Sequence, residues 1–110
     1  MSTKVYSEKL LFKELNHLIN DLNNGSIFVY PTETVWAIGC KSTIEKSVEK
    51  IYKIKKRPKT SPFINIIDNY INISKYVNKI DLQTIKIASK INNSPTVIYP
   101  NCKEKFNYLS

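Results

Sequence analysis

Residues 30–39, Tyr30-Pro31-Thr32-Glu33-Thr34-Val35-Trp36-Ala37-Ile38-Gly39, and residues 55–62, Lys55-Lys56-Arg57-Pro58-Lys59-Thr60-Ser61-Pro62, organise the chain. The first stretch continues the apolar run Ile27 to Tyr30, whose β-branched and aromatic residues predict a buried strand. Pro31 has no N–H and a fixed φ. It therefore ends that strand and sends Thr32, Glu33 and Thr34 into a loop at the strand's carboxyl end. In open α/β sheets small ligands bind at that edge.

Between the two stretches, Ser42-Thr43-Ile44-Glu45 reads as a capping box, with Glu45 three residues after Ser42. The helix it opens carries Ile44, Val48, Ile51 and Ile54 on one side, with Glu45, Lys46, Glu49, Lys50 and Lys53 largely on the other. Pro58 disfavours α conformation in the residue before it, so the helix must stop by Arg57. Lys55, Lys56, Arg57 and Lys59 then crowd a helix C-terminus and the loop beyond. One account of this cluster is a solvated C-cap whose cations meet the negative end of the helix dipole. The other is a site for an anion.

Upstream, Leu11, Leu15, Leu18 and Leu22, with Phe12 and Ile19 beside them, predict an amphipathic helix from Ser7 to Leu22, capped by Ser7 and stopped at Asn23-Asn24-Gly25. His17 lies in this helix without an orienting partner and reads as a packed or surface residue. Downstream, Phe63 to Ile67 reads as a second strand, Asp68-Asn69 as a turn, and Ile71, Ile73, Tyr76 and Val77 as a short helix. Asp81 caps another helix in which Leu82, Ile85 and Ala88-Ser89 face inward. Asn92 to Pro95 is a further turn, and Thr96 to Tyr99 a third strand stopped by Pro100. This β, α, β, α, β order with near-continuous apolar strands predicts an α/β layer with at least partly parallel pairing. After Pro100 periodicity is lost, and the last strand leaves an apolar edge that something missing should cover.

A chain of 110 residues is expected to form one domain. No apolar run approaches the ~20 residues that cross a bilayer, and residues 1–10 contain no secretory h-region, so a cytoplasmic protein is expected. Net charge is +8, from 17 basic and 9 acidic residues, and Arg57 is the sole arginine. The surplus of Lys, Ile and Asn is what an AT-rich coding sequence produces. A positive field also concentrates nucleotides and RNA, and a solitary guanidinium can grip phosphate or carboxylate with two hydrogen bonds. Cys40 and Cys102 are far apart, outline neither a disulfide framework nor a zinc site, and read as small apolar fillers.

No Ser/His/Asp arrangement, metal-ligand spacing or glycine-rich phosphate cradle is visible, and the chain has only two glycines. What remains is a hydroxyl-rich loop and a cation cluster at neighbouring strand ends. That pair suits a reaction in which protein groups align substrates and neutralise charge, as in phosphoryl and nucleotidyl transfer.

The order YPTETVWAIG, KKRPKTSP and then PTVIYPN, covering the chain from the first helix to Pro100, resembles the threonylcarbamoyl-adenylate synthases, the YrdC/Sua5/TsaC type. The resemblance implies a twisted open mixed α/β sheet with helices packed on it, carrying a large basic concavity, and incomplete here relative to the family. It implies a nucleotidyltransferase joining L-threonine, bicarbonate and ATP into threonylcarbamoyl-AMP with release of pyrophosphate, magnesium accompanying the ATP. The product would feed t6A modification of tRNAs through a separate transferase complex. By position, Thr32 would contact threonine. Lys55 and Arg57 would hold ATP phosphates and the carbamate oxygens as the catalytic pair, with Lys59 a further phosphate contact and Thr96 near the nucleotide. Three features depart from the family pattern: Trp36-Ala37 replaces Tyr-Gly, Ser61 replaces Lys or another polar ligand, and the chain stops before the SxN motif and its strand. Two other functions fit the same residues, a tRNA or double-stranded RNA binding module without catalysis and an inactive remnant of a truncated gene.

Overall fold

The computed structural model describes residues 3–91, 96–99 and 101–110. The elements are α1 (Leu15–Asn23), β1 (Phe28–Pro31), β2 (Trp36–Gly39), α2 (Glu45–Lys55), a 3₁₀ helix (Tyr70–Lys75), α3 (Leu82–Ile91) and a second 3₁₀ helix (Glu104–Leu109). The chain divides between Lys59 and Thr60 into two compact units.

In the first unit, the helix expected from Ser7 begins only at Leu15. Residues 8–14 form turns, and the Leu10 N–H donates to the Ser7 carbonyl at 3.1 Å and to its hydroxyl at 3.3 Å. Phe12 is 88% and Leu10 45% exposed, so little packing supports the first turns, and a short helix with little packing is marginal in water. The segment ahead of it is tied to α1 at Asp21, which accepts from the Tyr6 hydroxyl at 2.8 Å and from Lys4 Nζ at 3.5 Å.

The YPTETVWAIG stretch forms an antiparallel hairpin. β1 and β2 pair Phe28 with Gly39, Val29 with Ile38, Tyr30 with Ala37 and Pro31 with Trp36, leaving residues 32–35 as a four-residue loop. The loop is where Pro31 predicts it, although Pro31 itself takes the last strand position, where a missing N–H is tolerated. The second strand of the hairpin was not anticipated. On one face Phe28 and Tyr30 stack with centroids 5.1 Å apart, over the small residues opposite. A Cβ at Gly39 would lie 3.3 Å from the Tyr30 ring and 3.4 Å from the Phe28 ring.

Among the described residues of this unit α2 supplies every buried hydrophobic side chain, Val48, Ile51 and Tyr52, together with the buried polar Ser47. This stripe is displaced from the expected one, because Tyr52 is buried and Ile54 is exposed. Ser47 explains part of the displacement: its hydroxyl donates to the Gly25 carbonyl at 2.7 Å and docks the helix on the turn that ends α1. The helix starts two residues later than the Ser42 cap implies. The cap position is Ile44, in extended conformation, with no side-chain capping bond.

α1 and α2 end in the same way. The Ser26 N–H donates to the Asp21 carbonyl and Gly25 to Leu22; in α2, Arg57 donates to Tyr52 at 3.1 Å and Lys56 to Lys53 at 3.2 Å. Each pair of bonds places the intervening residue at positive φ, 92° for Gly25 and 51° for Lys56.

In the second unit, Phe63–Ile67 and Thr96–Tyr99 form no strand, and the sheet among the described residues has two strands rather than the predicted three or more. A run of Ile signals β propensity, but a strand exists only with a ladder partner. The turn at Asn92–Pro95 and the stop at Pro100 lie outside the described residues. The Asp68-Asn69 turn does form: Asn69 caps the first 3₁₀ helix by accepting from Ile71 N–H at 3.1 Å, while Asp68 accepts from Asn72 at 3.1 Å. Asp81 caps α3 as predicted, accepting from the N–H groups of Gln83 and Thr84 and from the Thr84 hydroxyl at 2.8 Å. Ile73 and Ile85 are buried where α3 meets that 3₁₀ helix. The tail also has structure. Cys102 bridges Val77, Lys103 N–H donates to the Tyr76 carbonyl at 2.8 Å, and the Phe106 ring packs 5.1 Å from Tyr76.

The two helix stops predict opposite mutational effects. Gly25→Ala places a Cβ 3.0 Å from the Ser47 hydroxyl at positive φ and is expected to destabilise the protein by about 1–2 kcal/mol. Lys56→Gly removes the Cβ from a left-handed position and is expected to stabilise by about 1 kcal/mol. Urea denaturation of both variants checks the pair.

A pH dependence also follows. Hydrogen bonds from Tyr6, Asn72 and Thr84 lower the carboxyl pKa of Asp21, Asp68 and Asp81 respectively from the ordinary 3.8. Their stabilisation is complete above that value and is lost as pH falls through the lowered folded values. Thermal melts are expected to fall below about pH 4, with a smaller drop in Asp81→Asn.

Candidate functional site

The reversal after α2 builds an open cleft of about 450 Å³, lined by Glu49, Tyr52, Lys53, Arg57 and Lys59. Glu49, Tyr52 and Lys53 follow at i, i+3 and i+4, which places them on one side of α2. Tyr52 is buried and anchors that side to the core. The bond from the Arg57 amide to the Tyr52 carbonyl then turns the chain back, and Pro58 prevents the helix from continuing. Lys59 ends 3.5 Å from the Glu49 carboxylate. With side chains 72% and 44% exposed, this pair contributes about 0–1 kcal/mol.

Three cations and one carboxylate thus share a wetted recess, a composition that attracts anions. Arg57 and Lys59, both singled out in the sequence, meet there. Lys55 is not on the lining: it follows Ile51 by four residues and Val48 by seven, beyond the last buried turn of α2, and it is exposed. In the sequence Glu49 and Lys53 stand only among the charged residues opposite the apolar side of this helix. The signal that could have found them is their spacing around Tyr52 in a helix that Pro58 must end.

Thr32 is also off that lining. Its hydroxyl organises the hairpin loop, accepting from the N–H groups of Thr34 at 3.3 Å and Val35 at 3.2 Å and donating to the Val35 carbonyl. Ala37 sits in the regular strand, and the described non-glycine residues with positive φ are Lys56 and Lys79. The change from Gly to Ala therefore leaves this loop unstrained. Thr96 is exposed in the second unit. Cys40 is partly buried, which pushes its thiol pKa up, as expected of a filler. His17 is exposed. Among the described residues no three His, Cys, Asp or Glu side chains cluster as metal ligands, and no helix is long and apolar enough to cross a membrane.

The family model Sua5/YciO/YrdC, described as telomere recombination, matches residues 20–109, across both units. The threonylcarbamoyl-AMP synthase of Riesia pediculicola is 32% identical over 87 residues, 79% of this chain and 46% of that protein. The enzyme of the same name from Pseudoalteromonas translucida is 35% identical over 80 residues, 73% of this chain and 43% of that protein. The one from Photobacterium profundum is 32% identical over 93 residues, 82% and 50% respectively. The chain spans about half the length of the curated relatives it matches. No solved structure matches.

Thr32→Val removes the loop bonds while keeping the side-chain shape, and is expected to lower stability by about 0.5–1.5 kcal/mol. Thr32→Ser, which keeps the hydroxyl, should cost less. Urea unfolding of the two variants measures the difference.

Proposed function

The chain belongs to the Sua5/YciO/YrdC family, and from that membership we propose that it takes part in making threonylcarbamoyl-AMP from L-threonine, bicarbonate and ATP. The observation that carries the reading is the meeting of Arg57 and Lys59 in one open cleft, in a chain related to proteins named threonylcarbamoyl-AMP synthase. Threonine and bicarbonate give a carbamate and water, and a carbamate oxygen attacks the α-phosphorus of ATP. The bond to the β-phosphate breaks, and negative charge gathers on the departing pyrophosphate. Cations held at those oxygens lower the barrier.

In this reading Arg57 grips phosphate or carbamate oxygens bidentately, and Lys59 neutralises the outer phosphates as a point charge. Lys55 acts with Arg57 through the family's Lys-x-Arg pattern, Thr32 contacts the threonine substrate, and Thr96 lies by the nucleotide. Magnesium enters with ATP as part of the substrate; of the five lining residues only Glu49 offers a carboxylate. The product passes, in the cytoplasm, to a transferase complex that modifies tRNA. The net charge of +8 favours a second reading, direct binding of tRNA or double-stranded RNA through phosphate contacts.

Radiolabelled threonine and bicarbonate with magnesium and ATP test the first reading. Wild-type protein is expected to form the adenylate, and Arg57→Ala to lose it by about 10²-fold or more. Product no greater than that of the variant would sink the enzyme reading. RNA binding predicts affinity that falls steeply with salt, and a flat gel-shift titration between low and high salt would end it.

A further inference from the structure

We propose that Glu49 is a resident counter-charge of the cleft, an internal anion that occupies Lys59 until a phosphate-bearing ligand displaces it. The inference rests on the reading of the cleft as a phosphate site. Glu49 is a carboxylate among three cations, Lys53, Arg57 and Lys59. It stands one helical turn before Tyr52 and Lys53, and its oxygen lies 3.5 Å from the Lys59 ammonium.

A carboxylate facing an incoming phosphate repels it, so its presence lowers anion affinity unless it does something else. Here it neutralises one of three crowded cations and holds the segment beyond Pro58 against α2. The contact is wetted on both sides, so water and a ligand can compete for it at little cost. A ligand with two or more phosphates meets Arg57 and Lys59 together and displaces the carboxylate; a small monoanion replaces one charge with another and gains little. Glu49 thereby filters for polyanions such as pyrophosphate or a nucleoside triphosphate.

The alternative, a strap whose only work is to hold Lys59 in place, predicts the opposite sign. If Glu49 merely positions Lys59, its loss weakens anion binding. If it competes for Lys59, its loss strengthens binding.

Calorimetric titration of pyrophosphate and of inorganic phosphate into wild-type protein, Glu49→Gln, Glu49→Ala and Arg57→Ala at fixed ionic strength decides between them, with circular dichroism and a thermal melt confirming that each variant is folded. Both Glu49 variants are expected to bind pyrophosphate roughly threefold to tenfold tighter and to discriminate less between pyrophosphate and phosphate. Unchanged or weaker pyrophosphate binding by folded Glu49 variants, with wild-type binding intact and Arg57→Ala binding lost, overturns the role of Glu49 and leaves the cleft reading standing. Absence of binding by wild type and Glu49 variants alike overturns both.

Discussion

The hydrogen bond from the Arg57 amide to the Tyr52 carbonyl is the constraint on which the cleft depends. It closes α2 by sending Lys56 into the left-handed region and reversing the chain, so that residues after the helix run back beside it. A glycine does this at the end of α1 without steric cost. A lysine does it at the end of α2 against its own Cβ, and the strain sits between Lys55 and Arg57. Non-glycine residues in such conformations persist where the surroundings over-determine them. Here Tyr52 is buried, Pro58 bars helical continuation and Lys59 is drawn to Glu49.

That reversal is useful only because α2 is itself held. Its buried stripe is short, and the Ser47 hydroxyl on the Gly25 carbonyl binds it to the end of α1 at a point where no Cβ intervenes. Gly25 therefore does two things, allowing the positive φ that stops α1 and leaving space for the serine. The hairpin repeats the theme with Gly39, whose lack of a side chain admits the stacked Phe28 and Tyr30 rings. The molecule's two glycines are both spent on close approach.

The burial is sparse. Five hydrophobic side chains are buried among the described residues, while Val29, Trp36, Ile64, Ile66 and Ile98 are among those exposed. This sparseness has a local consequence for the site: only the side of α2 that carries Tyr52 is anchored, and the cleft's charged groups stay in water.

Local chemistry was legible in the sequence. Pro31 located the loop, Pro58 limited α2, and Asp81 marked the start of α3, because each acts through its own backbone or its nearest neighbours. The family was legible as well, in the order of the two motifs, and with it Lys55 and Arg57 as the candidate pair and Lys59 as a further phosphate contact. Strand pairing was not, since β-branched runs at 27–30, 63–67 and 96–99 look alike until a ladder partner selects one of them, and the partner chosen, Trp36–Gly39, was hidden in a motif read for its chemistry. Nor was it legible that Arg57 lines the cleft while Lys55, two positions earlier, does not. Lys55 is the last residue of the helix and Arg57 follows the reversal, and only the fold decides where that change of direction falls.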